Sequence, residues 1–156
     1  AHQYYVAGLL HDVGKIGIPE AVLGKSGKLT DDEFTIIKKH PEICYRILTG
    51  IPSLEQILPG VLHHHERWDG RGYPHQLAGD NIPFIARVLC ICDTFDAMNS
   101  KRSYRDNIPR PQSIAELKKC AGSQFDATLV PVFLNLDLTQ YDQAVCAGET
   151  ELAKAA

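Results

Sequence analysis

Residues 63–74, "HHHERWDGRGYP", place three imidazoles and an acid just ahead of a glycine-bearing loop. Imidazole nitrogens bind divalent metals or carry protons near neutral pH. Groups of the same kind recur along the chain as His11 beside Asp12, His40, and Asp93. With His64 and His65 they fall on four stretches of helical pattern, and helical bundles build metal sites from inward side chains on facing helices. Imidazole with carboxylate suits Fe, Mn, Ni or Zn, and the lack of cysteine in the set disfavours a structural zinc site. Neighbouring helical residues project about 100° apart, so His64 and His65 must straddle a metal pair or serve different metals. His63 then faces away from His65 and reads as a surface residue. Taken singly, each feature has a plainer role: a His-Asp pair at a helix end is more often a cap, and Lys15, Arg102 and Arg105 read as solvated charges.

The elements that must position these residues are helices. "HQYYVAGLLHDVGK" has apolar residues at helical spacing, carries His11 and Asp12 in its last turn, and is expected to end at Gly14 or Gly17. Thr30 and Glu33 have capping-box spacing, with acids in the first turn of a helix from Asp31. Pro41 is expected to push His40 out of the helical region, so the chain breaks there before "EICYRIL". Ser53 and Gln56 form a second capping-box pattern, opening a helix that ends in the histidine run. Pro83 suits the start of "FIARVLCICDTFDAM", which carries Asp93 in its later turns. "QSIAELKKCA" stops at Gly122, and Asp126 is expected to cap a last short helix. The sequence predicts an all-α helical bundle with no strand and no repeat.

Composition is that of one globular domain: 156 residues, 44% apolar, 22% charged, with a formal charge of −3. That charge argues against a nucleic-acid polymer as partner, and binding of an anion must therefore be local. The five cysteines are odd in number and lack CxxC spacing, and Cys90 and Cys92 point apart on a helix. Reduced thiols and a cytoplasmic location are expected. No apolar run reaches the roughly 18–20 residues a membrane span requires.

Three stretches together resemble the HD-GYP domain, a branch of the HD superfamily of metal-dependent phosphohydrolases: "LLHDVGKIGIPEAVLGKSGKLT", "HHERWDGRGYP" and "IPFIARVLCICDTFDAMNSKRSYR". The resemblance runs from about Leu9 to Phe133 with the motifs in order, and it divides the chain into an HD-GYP domain at 1–136 and a weakly helical tail at 137–156. It implies an HD/phosphodiesterase-type bundle that hydrolyses cyclic di-GMP to linear pGpG, and in some members to GMP. The alternatives are a catalytically silent binding module and a hydrolase of another nucleotide.

Carried over residue by residue, the resemblance makes His11, Asp12, His40, His64, His65 and Asp93 the metal ligands, with Asp12 as the bridging carboxylate. The implied cofactor is a cluster of two or three divalent ions, Fe or Mn ahead of Ni or Zn. Asp12 and Lys15 are the catalytic assignments. Lys15, Arg102, Arg105 and the Gly72-Tyr73-Pro74 loop are assigned to substrate. Two metals about 3.5–4 Å apart polarise a phosphodiester and lower the pKa of water, so no side-chain nucleophile is needed. Gly70 and Gly72 are expected to give the loop its backbone freedom, with Trp68 and Tyr73 packing it or stacking on a base. Glu66 and Asp69 read as turn or supporting residues. The family's further upstream histidine, joined in some members by a glutamate, has no counterpart in the ten residues ahead of His11, so the domain reads as N-terminally incomplete. A fused regulatory domain, a diguanylate cyclase partner and a homodimer are the associations this implies.

Overall fold

The computed structural model describes residues 2–100 and 108–145, and Arg102 and Arg105 lie outside them. Among the described residues the chain forms α1 (His2–Leu10), α2 (Glu20–Leu23), α3 (Asp31–Ile37), α4 (His40–Leu48), α5 (Leu58–His63), α6 (Phe84–Asn99), α7 (Arg110–Lys119) and α8 (Leu129–Leu134). Short 3₁₀ turns at Val13–Gly17, Pro52–Ile57 and Gly79–Asn81 link them. The only strand-like pairing among these residues is an isolated bridge between Ala121 and Phe125. The expected all-α class holds. No helix here is long and apolar enough to cross a membrane.

Local signals succeeded where they were strictly local. The Thr30 hydroxyl accepts the Glu33 N–H, and the Glu33 carboxylate accepts the Thr30 N–H at 2.7 Å, so the capping box of α3 forms. The Ser53–Gln56 box does not form. Ile51 occupies the extended position before Pro52, which opens a 3₁₀ turn and leaves Ser53 inside it rather than at its cap. His40 is not expelled from helical geometry either. The chain breaks at Lys38 and Lys39, and His40 is the first residue of α4; Pro41 follows it within the first turn, where a missing N–H costs nothing. Asp126 does not cap α8, which Thr128 flanks. Its carboxylate instead accepts the Thr128 N–H (2.9 Å) and hydroxyl (2.7 Å) and pairs with Arg87 (3.0 Å).

Two apolar clusters hold the bundle, and α6 joins them. Leu89 packs with Ala7, Cys44, Leu48, Ile57, Leu58 and Val61. Cys90, Ile91, Phe95 and Met98 pack with Leu117, Phe125 and Val130, and Leu138 and Tyr141 also lie against this second cluster. Each large side chain so buried contributes about 1.5–3 kcal/mol before entropy is counted. This makes α6 the fixed axis on which α5 and α7 seat, and Asp93 lies on it just past the junction of the clusters. Cys44 and Cys90 are buried and Cys92 is exposed; all three are free thiols.

Candidate metal centre

Three ligand candidates sit where helices run out of hydrogen-bond partners. The last carbonyls of a helix lack an N–H from the next turn. His11 donates Nδ1–H to the Gly8 carbonyl near the end of α1 at 2.7 Å, and His40 does the same to Ile37, the last residue of α3, at 2.7 Å. His64 donates to the Val61 carbonyl of α5 at 2.6 Å. A carbonyl only accepts, so each Nδ1 carries the proton and each Nε2 presents a lone pair. The same bond orients a histidine that holds a metal.

Those lone pairs converge. His40 Nε2 lies 3.4 Å from His64 Nε2 and 3.2 Å from His65 Nε2. Asp12 turns one oxygen to His40 Nε2 and the other to His11 Nε2, both at 3.4 Å. Asp93 lies 3.7 Å from His11 Nε2. His11 Nε2 and Asp12 Oδ1 are buried without a hydrogen-bond partner. His11 Nε2 and Asp12 Oδ1, buried and unpartnered beside the inward nitrogens of His40 and His64, are acceptors that a cation would satisfy, so this donor set fits divalent metal. It contains two sets of three whose ligand atoms lie within 4.8 Å of each other, His40-His64-His65 and His11-Asp12-His64. One imidazole nitrogen holds one ion, so His64 completes only one set at a time, whereas Asp12 has an oxygen for each side.

The electrostatics favour the same ion. Burial lowers the pKa of His40 and drives that of His65 to about 3, with further lowering by His40, so both are neutral at pH 7. His64, the most enclosed, is pushed well down by burial and by His65. Burial would raise Asp93, yet the His11 imidazole 3.7 Å away outweighs it and holds the carboxyl at about 2. His11 is the exception: burial lowers it, but Asp93 and Asp12 outweigh that and raise it. Neutral imidazoles beside an ionised carboxylate are the protonation states metal binding requires. Lys15 reaches Asp12 at 2.6 Å, placing an ammonium at the rim.

The loop after His65 is tied down rather than free. The Glu66 carboxylate accepts the backbone N–H groups of His75 (2.7 Å) and Leu77 (3.1 Å). Asp69 pairs with Arg67 at 2.7 Å and accepts the Arg71 N–H, closing the turn. Gly70 has a φ of +77°, as expected. Gly72 does not rely on positive φ; a Cβ there would lie 2.4 Å from the Arg67 nitrogen and the Glu66 Cα, so close backbone approach requires glycine. Tyr73 stacks on His65 (4.8 Å between centroids, 25° between planes), with Phe34 edge-on to it. Trp68 lies under the Arg87 guanidinium. Both aromatics therefore pack the loop.

Residues 1–129 match the model of a family described as HD domain. The chain belongs to the HD domain family. It is 41% identical over 140 residues to a cyclic di-GMP phosphodiesterase of Vibrio cholerae, a match covering 85% of this chain and 28% of that protein. It is 43% identical over 130 residues to 3'3'-cGAMP-specific phosphodiesterase 2 of Vibrio cholerae, covering 82% of this chain and 25% of that protein. The chain thus spans less than a third of the length of either. A crystal structure of a cyclic GMP-AMP specific phosphodiesterase of V. cholerae superposes with a TM-score of 0.63 at 19% identity, over 93% of this chain and 42% of that one, and shares the fold.

The HD domain thus brings His11, Asp12, His40, His64, His65 and Asp93 into one cluster, with Lys15 against Asp12 and Tyr73 stacked on His65. Gly72 packs against the backbone of Glu66 and Arg67, and Pro74 follows Tyr73 in the same loop. Arg102 and Arg105 lie outside the described residues. Sequence reading missed Phe34 and Lys38, whose ammonium lies 5.9 Å from the Tyr73 ring centre, because nothing local marks them as neighbours of the loop. It also left His63 as a plain surface residue, whereas its Nε2 meets His75 Nδ1 at 3.0 Å. The spacing of His63 to Glu66, one helical turn, was the available signal.

Proposed function

We propose that this domain is a metal-dependent phosphodiesterase that opens cyclic di-GMP to linear pGpG. The observation that carries the reading is the convergence of His11, His40, His64 and His65 around Asp12, whose two oxygens face His11 on one side and His40 on the other, an arrangement suited to two ions. The relative named cyclic di-GMP phosphodiesterase supports the substrate. The candidate ligands are His11, Asp12, His40, His64, His65 and Asp93, with Asp12 bridging, and Fe or Mn is the favoured occupant. When bound, divalent ions supply Lewis-acid polarisation of the phosphoryl group and acidify water.

The chain's own residues do the rest. The Nδ1–H bonds to Gly8, Ile37 and Val61 fix three imidazoles with their lone pairs inward, so these side chains need no reorientation to take up a divalent cation. Lys15, already beside Asp12, supplies a charge-assisted donor to a phosphate oxygen. Arg102 and Arg105 are proposed to add two further cations. Tyr73, held between His65 and Phe34, bounds the pocket on the loop side and limits how a base enters.

The test is hydrolysis of cyclic di-GMP by metal-loaded protein, with product separation. Turnover that disappears in Asp12→Ala and in chelated protein is expected, and turnover unchanged in Asp12→Ala would overturn the reading. The relative named for 3'3'-cGAMP supports a second reading, a different cyclic dinucleotide as substrate. A substrate panel in which cyclic GMP-AMP outruns cyclic di-GMP would establish it. No turnover with retained dinucleotide binding would make the domain a binding module, which could engage a diguanylate cyclase.

A further inference from the structure

On the outer side of the histidine run, His63 at the end of α5 and His75 just after the Gly72-Tyr73-Pro74 loop bring their ring nitrogens to 3.0 Å. His63 donates Nδ1–H to the Pro59 carbonyl at 2.9 Å, so its Nε2 lone pair faces His75. One donor atom each from His63, Glu66 and His75 lies within 4.8 Å of the other two. Glu66 is only 2% exposed. Its oxygens accept two backbone N–H groups, and no cationic side chain among the described residues pairs with it; adjacent Arg67 is turned to Asp69 instead. Buried charge is normally paired or bound to metal.

We infer that His63, His75 and Glu66 form a second divalent-metal site, distinct from the central cluster, that staples the end of α5 to the exit of the loop. The 3.0 Å nitrogen separation matches one edge of a coordination shell with metal–nitrogen bonds of about 2.0–2.1 Å. Two imidazoles and one carboxylate select a borderline ion such as Zn²⁺ or Ni²⁺ over Mg²⁺ or Ca²⁺. His75 is exposed and can swing the short distance that brings Glu66 within bonding range. A groove of about 400 Å³ lined by Glu42, Tyr45, Arg46, Leu62 and His75 opens to solvent beside His75. The consequence is positional. With its exit clamped, the loop holds Tyr73 against His65, so supply of this ion would set how firmly the pocket wall stands.

The test is equilibrium dialysis against Zn²⁺ followed by elemental analysis of intact protein. Wild type is expected to bind one equivalent more than His75→Gln, and the same one-equivalent difference is expected in an Asp12→Ala background, where the central cluster is impaired. Limited proteolysis of the loop should slow on adding Zn²⁺ in wild type and not in His75→Gln. His63→Gln should reproduce the loss. Because His75 is exposed, its variant is expected to keep the wild-type melting temperature without Zn²⁺, which reports folding. Equal Zn²⁺ stoichiometry in wild type and a folded His75→Gln would overturn the inference and leave a neutral histidine–histidine hydrogen bond. Neither readout uses dinucleotide turnover, so this result is independent of the proposed phosphodiesterase activity.

Discussion

Gly14→Ala is the most informative single substitution, because it adds one carbon where the structure has no room. The new Cβ would stand 2.1 Å from the His40 carbonyl oxygen, 2.6 Å from the Cys44 nitrogen and 2.9 Å from the Cys44 Cβ. All three belong to α4, two of them to its backbone, and ordinary contact begins near 3.4 Å. Relief therefore means moving the Val13–Gly17 turn off α4 by about 1 Å, and overpacking of this kind costs about 1–3 kcal/mol. The displacement acts on the site directly. Asp12 starts that turn and His40 starts α4, and they face each other at 3.4 Å. Metal sites tolerate about 0.2 Å in ligand distance, and comparable disturbances of supporting groups cost about 10–100-fold in affinity. Calorimetric titration of metal into Gly14→Ala should show at least that loss, together with a melting temperature lower by about 2–12 °C from about 2–4 °C per kcal/mol. Gly8→Ala is the control: a Cβ there meets nothing within 4 Å, so the protein should be as stable or slightly more so. Wild-type metal affinity and melting temperature in Gly14→Ala would refute the reasoning.

Gly72→Ala should also depress metal affinity and any turnover, since its Cβ meets backbone at 2.4 Å and the loop behind His65 must open; circular dichroism should show the helices intact. Arg87→Leu removes the partner of Asp126, whose side chain is 3% exposed, and should cost about 3–5 kcal/mol in denaturant unfolding. Burial would raise the Asp126 carboxyl, but the Thr128 hydroxyl and N–H and the Arg87 guanidinium hold it below its ordinary value. Its stabilising contribution is therefore complete above the unfolded pKa of about 3.9 and is lost as pH falls through the lower folded value, so Asp126→Asn should flatten the acid limb of the stability curve. Chelation of metal-loaded protein should lower the melting temperature by about 5–11 °C, which follows from about 2.7 kcal/mol of linkage at a hundredfold excess over Kd.

The sequence carried the ligand types, the motif order and the helical class, because these rest on residue identity and short-range pattern. Thr30 and Glu33 were readable because both partners of the capping box lie in one turn. Ser53 and Gln56 had the same spacing and failed because Pro52 opened a 3₁₀ turn one residue earlier. Gly14 and Gly72 look in sequence like a helix stop and a flexible loop position. Their actual constraint is approach of another backbone segment, which no local pattern encodes. The convergence of His11, His40 and His64 was likewise not derivable from spacing. It depends on each imidazole capping the helix end just before it and on α6 fixing the angles between those helices. His63 and His75 escaped notice because the loop that joins them folds back through Glu66.

The central claim is that six side chains from distant parts of the chain grip divalent ions in one pocket. Crystals grown with Mn²⁺ and measured for its anomalous scattering test it directly. At least two anomalous peaks are expected among His11, Asp12, His40, His64, His65 and Asp93, with Asp12 contacting both ions. Peaks only elsewhere, or an ordered pocket in saturating Mn²⁺ with no peak between Asp12 and His64, would contradict it.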